Sequence, residues 1–205
     1  ACILERSGVA HDLYDAMRLF AGRLPGGVAV QTTLVAMVMA AMTGIIGGEI
    51  VLLGLIALPQ MLRLGYDRKL AIGIICAGGS LGTMIPPSVV LIVYGLTAGV
   101  SIGDLFLAAV VPGIILGLLY IAYVIVRCVM NPALAPRTPN AELAIPMSEK
   151  LRLLKGLILP IMIIIWVLGS IYGGIASITE SAGVGVVGAI VSAAIRGDLN
   201  VAMMK

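Results

Sequence analysis

The sequence predicts an all-α polytopic membrane protein, and three observations carry that expectation. Sixty per cent of the 205 residues are hydrophobic and 11% are charged, against roughly 25% charged in an ordinary soluble domain. Several apolar runs reach the ~20 residues that a helix rising about 1.5 Å per residue needs to cross a hydrocarbon layer. These runs are continuous, whereas membrane β-barrels alternate apolar and polar residues in short strands. The clearest is Leu105 to Val126, which holds no charge; Gly27 to Leu62, Leu70 to Ala98, Gly156 to Tyr172 and Gly174 to Ile195 are the others.

Residues 1–26 come first. Leu13, Met17 and Phe20 recur at helical spacing among Glu5, Arg6, Asp12, Asp15, Arg18 and Arg23, which predicts an amphipathic helix on the membrane surface. The chain opens at Ala1 without a basic n-region or cleavage site, so no signal peptide is read and an internal stretch of a longer product is expected. Residues 27–98 follow as one unit. Gly27 to Leu62 runs for 36 residues, more than one perpendicular span requires, and its centre is Thr43-Gly44-Ile45-Ile46-Gly47-Gly48-Glu49. Three glycines and a carboxylate there predict a helix break. Leu70 to Ala98 should span as a broken helix, interrupted between Gly79 and Pro87 because Pro86 and Pro87 remove two backbone donors. Residues 99–130 hold a transmembrane helix, 131–150 a polar linker with Pro132, Pro136, Pro139 and Pro146, and 151–205 the start of a second half.

Charge decides how the long run is threaded, because cytoplasmic loops are enriched in Lys and Arg. If Gly27 to Leu62 crossed once, Arg6, Arg18 and Arg23 would lie opposite Arg63, Arg68 and Lys69. As a re-entrant hairpin with its tip between Thr43 and Glu49, it returns both groups to one face. Arg127, Arg137, Lys150, Arg152 and Lys155 then join them, which puts eleven of the thirteen basic residues on the face read as cytoplasmic. The net charge of +3 is thereby a topological signal, and no nucleic-acid partner is expected. Cys2, Cys76 and Cys128 are far apart and read as small packing residues.

Catalytic equipment is sparse. The one histidine, His11, lies on the amphipathic segment, and no Gly-x-x-x-x-Gly-Lys-Ser/Thr phosphate loop occurs. No enzyme activity and no organic cofactor are expected. Glu49 is different, since a carboxylate at the bilayer centre costs about 2.5–3.5 kcal/mol on an insertion scale and usually meets a cavity or an ion. The prolines in Gly79-Ser80-Leu81-Gly82-Thr83-Met84-Ile85-Pro86-Pro87-Ser88 free carbonyl oxygens, which suit a hard cation such as sodium. The plainer alternative is that glycines with Ser and Thr let helices pack closely and that prolines merely kink them. Ser177, Thr179 and Glu180 read more simply as an interfacial helix cap.

With these stretches in place, the sequence resembles the large membrane subunit of the TRAP transporters, the tripartite ATP-independent periplasmic family. The resemblance runs through Leu4-Glu5-Arg6-Ser7-Gly8, Thr43 to Glu49, Gly65-Tyr66-Asp67, Gly82 to Ser88, Tyr94-Gly95 and Gly173 to Ala182. Gly47-Gly48-Glu49 and Ser101-Ile102-Gly103-Asp104-Leu105-Phe106 are similar to the branch labelled for mannitol or chloroaromatic compounds. The resemblance implies inverted repeats, each with a re-entrant hairpin and a broken helix, and a domain that carries substrate like an elevator. It implies a sodium ion held by Thr43, Glu49 and the backbones of Gly82, Ile85 and Pro87, with Gly44, Gly47, Gly48, Thr83 and Ser88 as substrate-cavity candidates. Thr43-Gly44-Ile45 stands where many relatives have Ser-Gly-Ser, and Glu49 where some have Asp. A second sodium site is expected beyond Lys205. The implied partners are a small membrane subunit, a periplasmic substrate-binding protein, a small organic anion as substrate and the lipid bilayer of a bacterial or archaeal inner membrane.

The function expected on these grounds is sodium-coupled, binding-protein-dependent import of organic anions such as carboxylates or sugar acids. A channel, in which freed carbonyls form a filter, and a scaffold, whose glycines only pack helices, are the alternatives. Sodium-dependent uptake separates the first two, and a scaffold predicts none.

Overall fold

The computed structural model describes residues 24–44, 46–136 and 147–173, with Leu13, Tyr14, Ala16, Met17, Glu180, Gly183 and Val187; at 147–156 and 159 it describes the backbone alone. Every regular element among them is helical. Helix α1 (Gly27–Thr43) stops at Gly44, whose left-handed backbone (φ 60°, ψ 14°) turns the chain and whose N–H donates to the Ala40 carbonyl. Helix α2 (Ile46–Arg63) starts two residues later. The expected break at Thr43–Glu49 is therefore narrower than its composition suggests, with Gly47, Gly48 and Glu49 already inside α2.

The far ends of α1 and α2 lie together. The phenol oxygen of Tyr66, just past α2, accepts the Val28 N–H at the start of α1 at 3.2 Å. Helix α3 (Arg68–Ser80) begins at the same end, capped by Asp67, whose Oδ1 accepts the Leu70 N–H at 3.0 Å. It gives way to a 3-10 turn (Leu81–Thr83) and irregular backbone before α4 (Val89–Ala98). Helix α5 (Ile102–Met130) extends beyond the apolar run at both ends. Ser101 Oγ caps it by accepting the Asp104 N–H at 3.3 Å, and Arg127 in its last turn complements the helix dipole.

Close contacts fix the register of α1 on α5. A Cβ on Gly26 would lie 2.6 Å from Cys128 Sγ, and one on Gly117 would lie 2.6 Å from Met37 Sδ. The two contacts are eleven residues apart on each chain segment and run in opposite directions, so α1 and α5 are antiparallel. Leu134, in a 3-10 turn after α5 (Pro132–Leu134), accepts the Asp67 N–H at 2.9 Å. The start of α1, the end of α2, the start of α3 and the end of α5 thus share one end of the molecule. Measured from that end, α1 reaches about 25 Å and α5 about 43 Å, so the Gly44 turn sits partway along α5.

Leu13, Tyr14 and Ala16 are buried, and Met17 packs against the core. The apolar face expected to lie on lipid is, at these residues, turned inward onto α1. Gln31 Nε2 donates to the Tyr14 carbonyl at 2.6 Å, and the hydroxyls of Tyr14 and Thr32 share a hydrogen bond at 3.3 Å. Helix α6 (Met147–Tyr172) starts inside the segment read as linker and packs against α1. Ser177 and Thr179 lie outside the described residues; Glu180 is helical and exposed.

Candidate functional site

Two interruptions meet in the middle of this bundle. The Gly44 turn abuts the break between α3 and α4 so closely that a Cβ on Gly44 would overlap the Pro87 carbonyl oxygen. One turn on, Ile50 of α2 presses on Gly79 of α3, where a Cβ would meet Ile50 Cγ1 and lie 3.2 Å from the Ile50 Cα and N. A residue with no side chain is needed at both points, and that brings α2 and its first-turn carboxylate against the end of α3. The Leu81–Thr83 turn in its turn packs against both α1 and α2.

Hydrogen bonding in the break is uneven. Met84 and Ile85 both donate to the Leu81 carbonyl at 2.9 Å. Thr83 Oγ1 donates to the Ser80 carbonyl, and Ser88 Oγ, fully buried, donates to the Thr83 carbonyl, each at 2.8 Å. The Gly82 carbonyl is left over, because its donor three residues on serves Leu81 and the residue four on is Pro86, which has no N–H. Among the described residues, none of the bonds that tie the break together uses the carbonyl of Gly82, Ile85 or Pro87.

Glu49 is 2% exposed, and neither carboxylate oxygen has a hydrogen-bond partner among the described residues. Its place in the first turn of α2 lets the positive end of the helix offset part of the cost of burial. Thr43 is half-buried, and its hydroxyl hydrogen is committed to the Met39 carbonyl at 3.0 Å, so the oxygen retains only lone pairs to offer. Gly44 and Gly82 are buried, Gly48 and Thr83 half-buried, and Gly47 exposed. The residues singled out in the sequence therefore fall on three neighbouring elements: the tip of the hairpin, the first turn of α2 and the break.

Those groups are rich in acceptors and poor in donors, which fits a cation bound by oxygen. A partner of that kind would be held by the Glu49 carboxylate, the Thr43 hydroxyl and the break carbonyls. Among the described residues no three His, Cys, Asp or Glu side chains cluster as for a transition metal, so a hard, weakly selective cation suits the donor set better than zinc or iron. The buried polar residues of α1, Gln31, Thr32 and Thr33, were not anticipated. The Thr32 and Thr33 hydroxyls donate to carbonyls one turn back at 2.8 and 3.1 Å, and no motif in the sequence marks them.

Comparison with known proteins places the sequence in a family. Residues 1–204 match the family model described as the DctM component of the tripartite ATP-independent periplasmic transporters. The chain is 36% identical over 186 residues to the C4-dicarboxylate TRAP transporter large permease protein DctM of Pseudomonas aeruginosa, covering 90% of this chain and 42% of that protein. It is 30% identical over 191 residues to the ectoine/5-hydroxyectoine TRAP transporter large permease protein UehC of Ruegeria pomeroyi, covering 93% of this chain and 43% of the relative. The isethionate TRAP transporter permease protein DctMQ of Oleidesulfovibrio alaskensis is 33% identical over 175 residues, 85% of this chain and 27% of the relative. The chain spans about two fifths of the length of the first two.

Proposed function

The chain belongs to the DctM component family of tripartite ATP-independent periplasmic transporters, and on that premise we propose that it forms the first-repeat half of a sodium-coupled elevator. The family is one of membrane transport permeases, not of enzymes. Helices Ile46–Arg63 and Ile102–Met130 are each long and apolar enough to cross a membrane. In our reading only the second does so. The first is the returning arm of a re-entrant hairpin: the Tyr66–Val28 hydrogen bond brings its end back to the start of α1, and the Gly44 turn lies only partway along α5.

The observation that carries the proposal is Glu49, a buried carboxylate without a hydrogen-bond partner among the described residues, on the helix turn that lies against a break with spare carbonyls. Sodium held by Thr43, Glu49 and the carbonyls of Gly82, Ile85 and Pro87 would neutralise that charge and fix the Gly44 tip on the Pro87 turn. Gly44, Gly47, Gly48, Thr83 and Ser88, at the tip and the break, are the candidates that would line the substrate cavity. The relatives are named for C4-dicarboxylates, ectoine and isethionate. For this chain we assign the substrate class as small organic anions, and the Gly47-Gly48-Glu49 motif favours the mannitol or chloroaromatic-like branch. A small membrane subunit and a periplasmic binding protein complete the transporter in the inner membrane; the name DctMQ of one relative is in keeping with a close association of large and small subunits.

Uptake by the full-length transporter, reconstituted with its partners, tests the site. Glu49→Gln should raise the sodium concentration for half-maximal uptake by about tenfold or more, the equivalent of losing one charged ligand worth roughly 1.4 kcal/mol or more. Glu49→Asp should recover part of the loss. An unchanged sodium dependence in Glu49→Gln removes the carboxylate from the site.

A further inference from the structure

A cavity of about 440 Å³ opens between α3 and the C-terminal half of α5, at the basic end of the molecule and away from the helix breaks. Lys69 and Arg127, both exposed, line it together with Asp67. The Asp67 carboxylate caps α3 through the Leu70 N–H and keeps its charge, so two cations and one anion leave this end net positive. Further in stand Tyr123 and Tyr120 on α5, and on α3 the lining passes through Gly73 and Ile74 to Ala77. From Lys69 to Ala77 the helix advances about 12 Å, and from Arg127 to Tyr120 about 10 Å. The slot thus passes, along the direction of the helices, from a cationic mouth to an interior in which Tyr123 and Tyr120 of α5 stand level with Gly73, Ile74 and Ala77 of α3. Gly73 adds to its width, since a Cβ placed there meets nothing within 4 Å.

That gradient matches one kind of occupant. A free anion needs the charged end alone and gains nothing from the apolar wall of Gly73, Ile74 and Ala77, about 6 Å long. A lipid has the required order of chemistry: a phosphate for the cations at the mouth, then ester groups and an acyl chain for an interior walled by tyrosines on α5 and by Gly73, Ile74 and Ala77 on α3. Basic pockets between membrane helices are suited to anionic head groups, and tyrosines favour the same interfacial depth.

From this we infer that the slot between α3 and α5 binds an anionic glycerophospholipid, its head group between Lys69 and Arg127 and one acyl chain along Gly73. The site is separate from the sodium and substrate groups, and its occupancy does not depend on them. A lipid seated there bridges the start of α3 to the end of α5.

Native mass spectrometry of the full-length transporter in detergent, titrated with phosphatidylglycerol or phosphatidylcholine, tests the assignment. Wild type should bind phosphatidylglycerol in preference to phosphatidylcholine. Lys69→Gln with Arg127→Gln should weaken phosphatidylglycerol binding by about 30-fold, the effect of two interfacial charges, and bring it level with phosphatidylcholine. Gly73→Leu keeps both charges and fills the apolar part, so it should weaken both lipids. Thermal unfolding in lipid-free detergent verifies the fold of each variant, and the single substitutions carry the same readout if the double one does not fold. Equal phosphatidylglycerol binding in wild type and the charge variant overturns the inference. So does displacement by inorganic phosphate together with an unaffected Gly73→Leu, which would make this a free-anion site. A cross-link from Gly73→Cys to another segment of the full-length chain, at full yield with lipid present, would show protein in the slot and overturn it as well.

Discussion

Gly44 is where the proposed coupling can be broken with the least chemistry. Alanine there must adopt φ 60°, a left-handed conformation that costs an L-residue about 1–2 kcal/mol. Its methyl group would also overlap the Pro87 carbonyl oxygen, with the Pro87 carbonyl carbon 3.1 Å and Ser88 Cα 3.5 Å away. These neighbours are backbone, and the Ser88–Thr83 hydrogen bond holds them in place, so the overlap cannot be relieved by turning a side chain. Overpacking of this sort costs about 1–3 kcal/mol. The docked tip should therefore lose about 2–5 kcal/mol relative to an undocked one. If the cation site exists only when the tip is docked, its apparent affinity falls with the docked fraction. Uptake by the reconstituted full-length transporter should need at least about tenfold more sodium for half-saturation. Gly54→Ala is the comparison: it lies on the same hairpin, a Cβ there meets nothing within 4 Å, and alanine should favour the helix by about 0.5–1 kcal/mol. The reasoning fails if Gly44→Ala keeps the wild-type sodium curve, or if Gly54→Ala shifts it as much.

Two further outcomes follow from the closed end of the hairpin. Burial pushes the Tyr66 phenol up to about 12 from 10, an effect only partly opposed by the Val28 N–H that it accepts. A raised phenol pKa stabilises the fold fully below pH 10 and loses that contribution as pH rises towards 12, by up to about 3 kcal/mol. Thermal unfolding should thus show wild type losing stability across that window more steeply than Tyr66→Phe. The variant should be weaker by about 1–3 kcal/mol at lower pH, because the Val28 N–H loses its partner. Cysteines replacing Leu24 and Leu64, in a protein freed of Cys2, Cys76 and Cys128, should react with an impermeant reagent from one side of sealed vesicles. Labelling from opposite sides would rule out the re-entrant hairpin.

The break in the second span was legible because two adjacent prolines leave the helix no alternative, and the structure interrupts it between Ser80 and Val89. The tip was legible less sharply. Gly47 and Gly48 read as breakers by propensity, yet they are helical, because one left-handed residue at Gly44 suffices to reverse the chain. In a membrane bundle, glycine more often marks close packing than an end, and Gly79 beneath Ile50 is such a case. Helix α5 lies within the stretch 99–130 read as a transmembrane helix, and it outruns the charge-free run Leu105 to Val126 because Ser101 and Arg127 serve its two ends. Gln31, Thr32 and Thr33 stayed hidden for a different reason. Their polar groups are satisfied by Tyr14 and by carbonyls of their own helix, and such pairing depends on long-range placement that no local spacing records. The burial of Leu13 and Ala16 was missed similarly, since an amphipathic face fits a lipid surface and a protein surface equally well.

Why the two interruptions meet can be argued from donors and acceptors alone. Within a membrane, a reversed chain at Gly44 and an irregular stretch before Ser88 both expose backbone that lipid cannot satisfy. Packing one against the other removes both from lipid, and Gly44 and Gly79 permit the required approach. Yet the groups then gathered do not satisfy one another. Glu49 brings two carboxylate oxygens without partners among the described residues, Gly82 a carbonyl without its helical donor, and Thr43 a hydroxyl whose hydrogen is already used by Met39. An apolar residue at position 49 would pack there without this conflict, so a purely structural junction has no use for the carboxylate. Within the break, the amide donors of Met84 and Ile85 are spent on Leu81 and those of Pro86 and Pro87 are absent. A small cation resolves the whole set at once, and its release restores the mismatch. The same junction that closes the hairpin onto the break would thereby become sensitive to sodium, which is the property a coupled transporter requires of it.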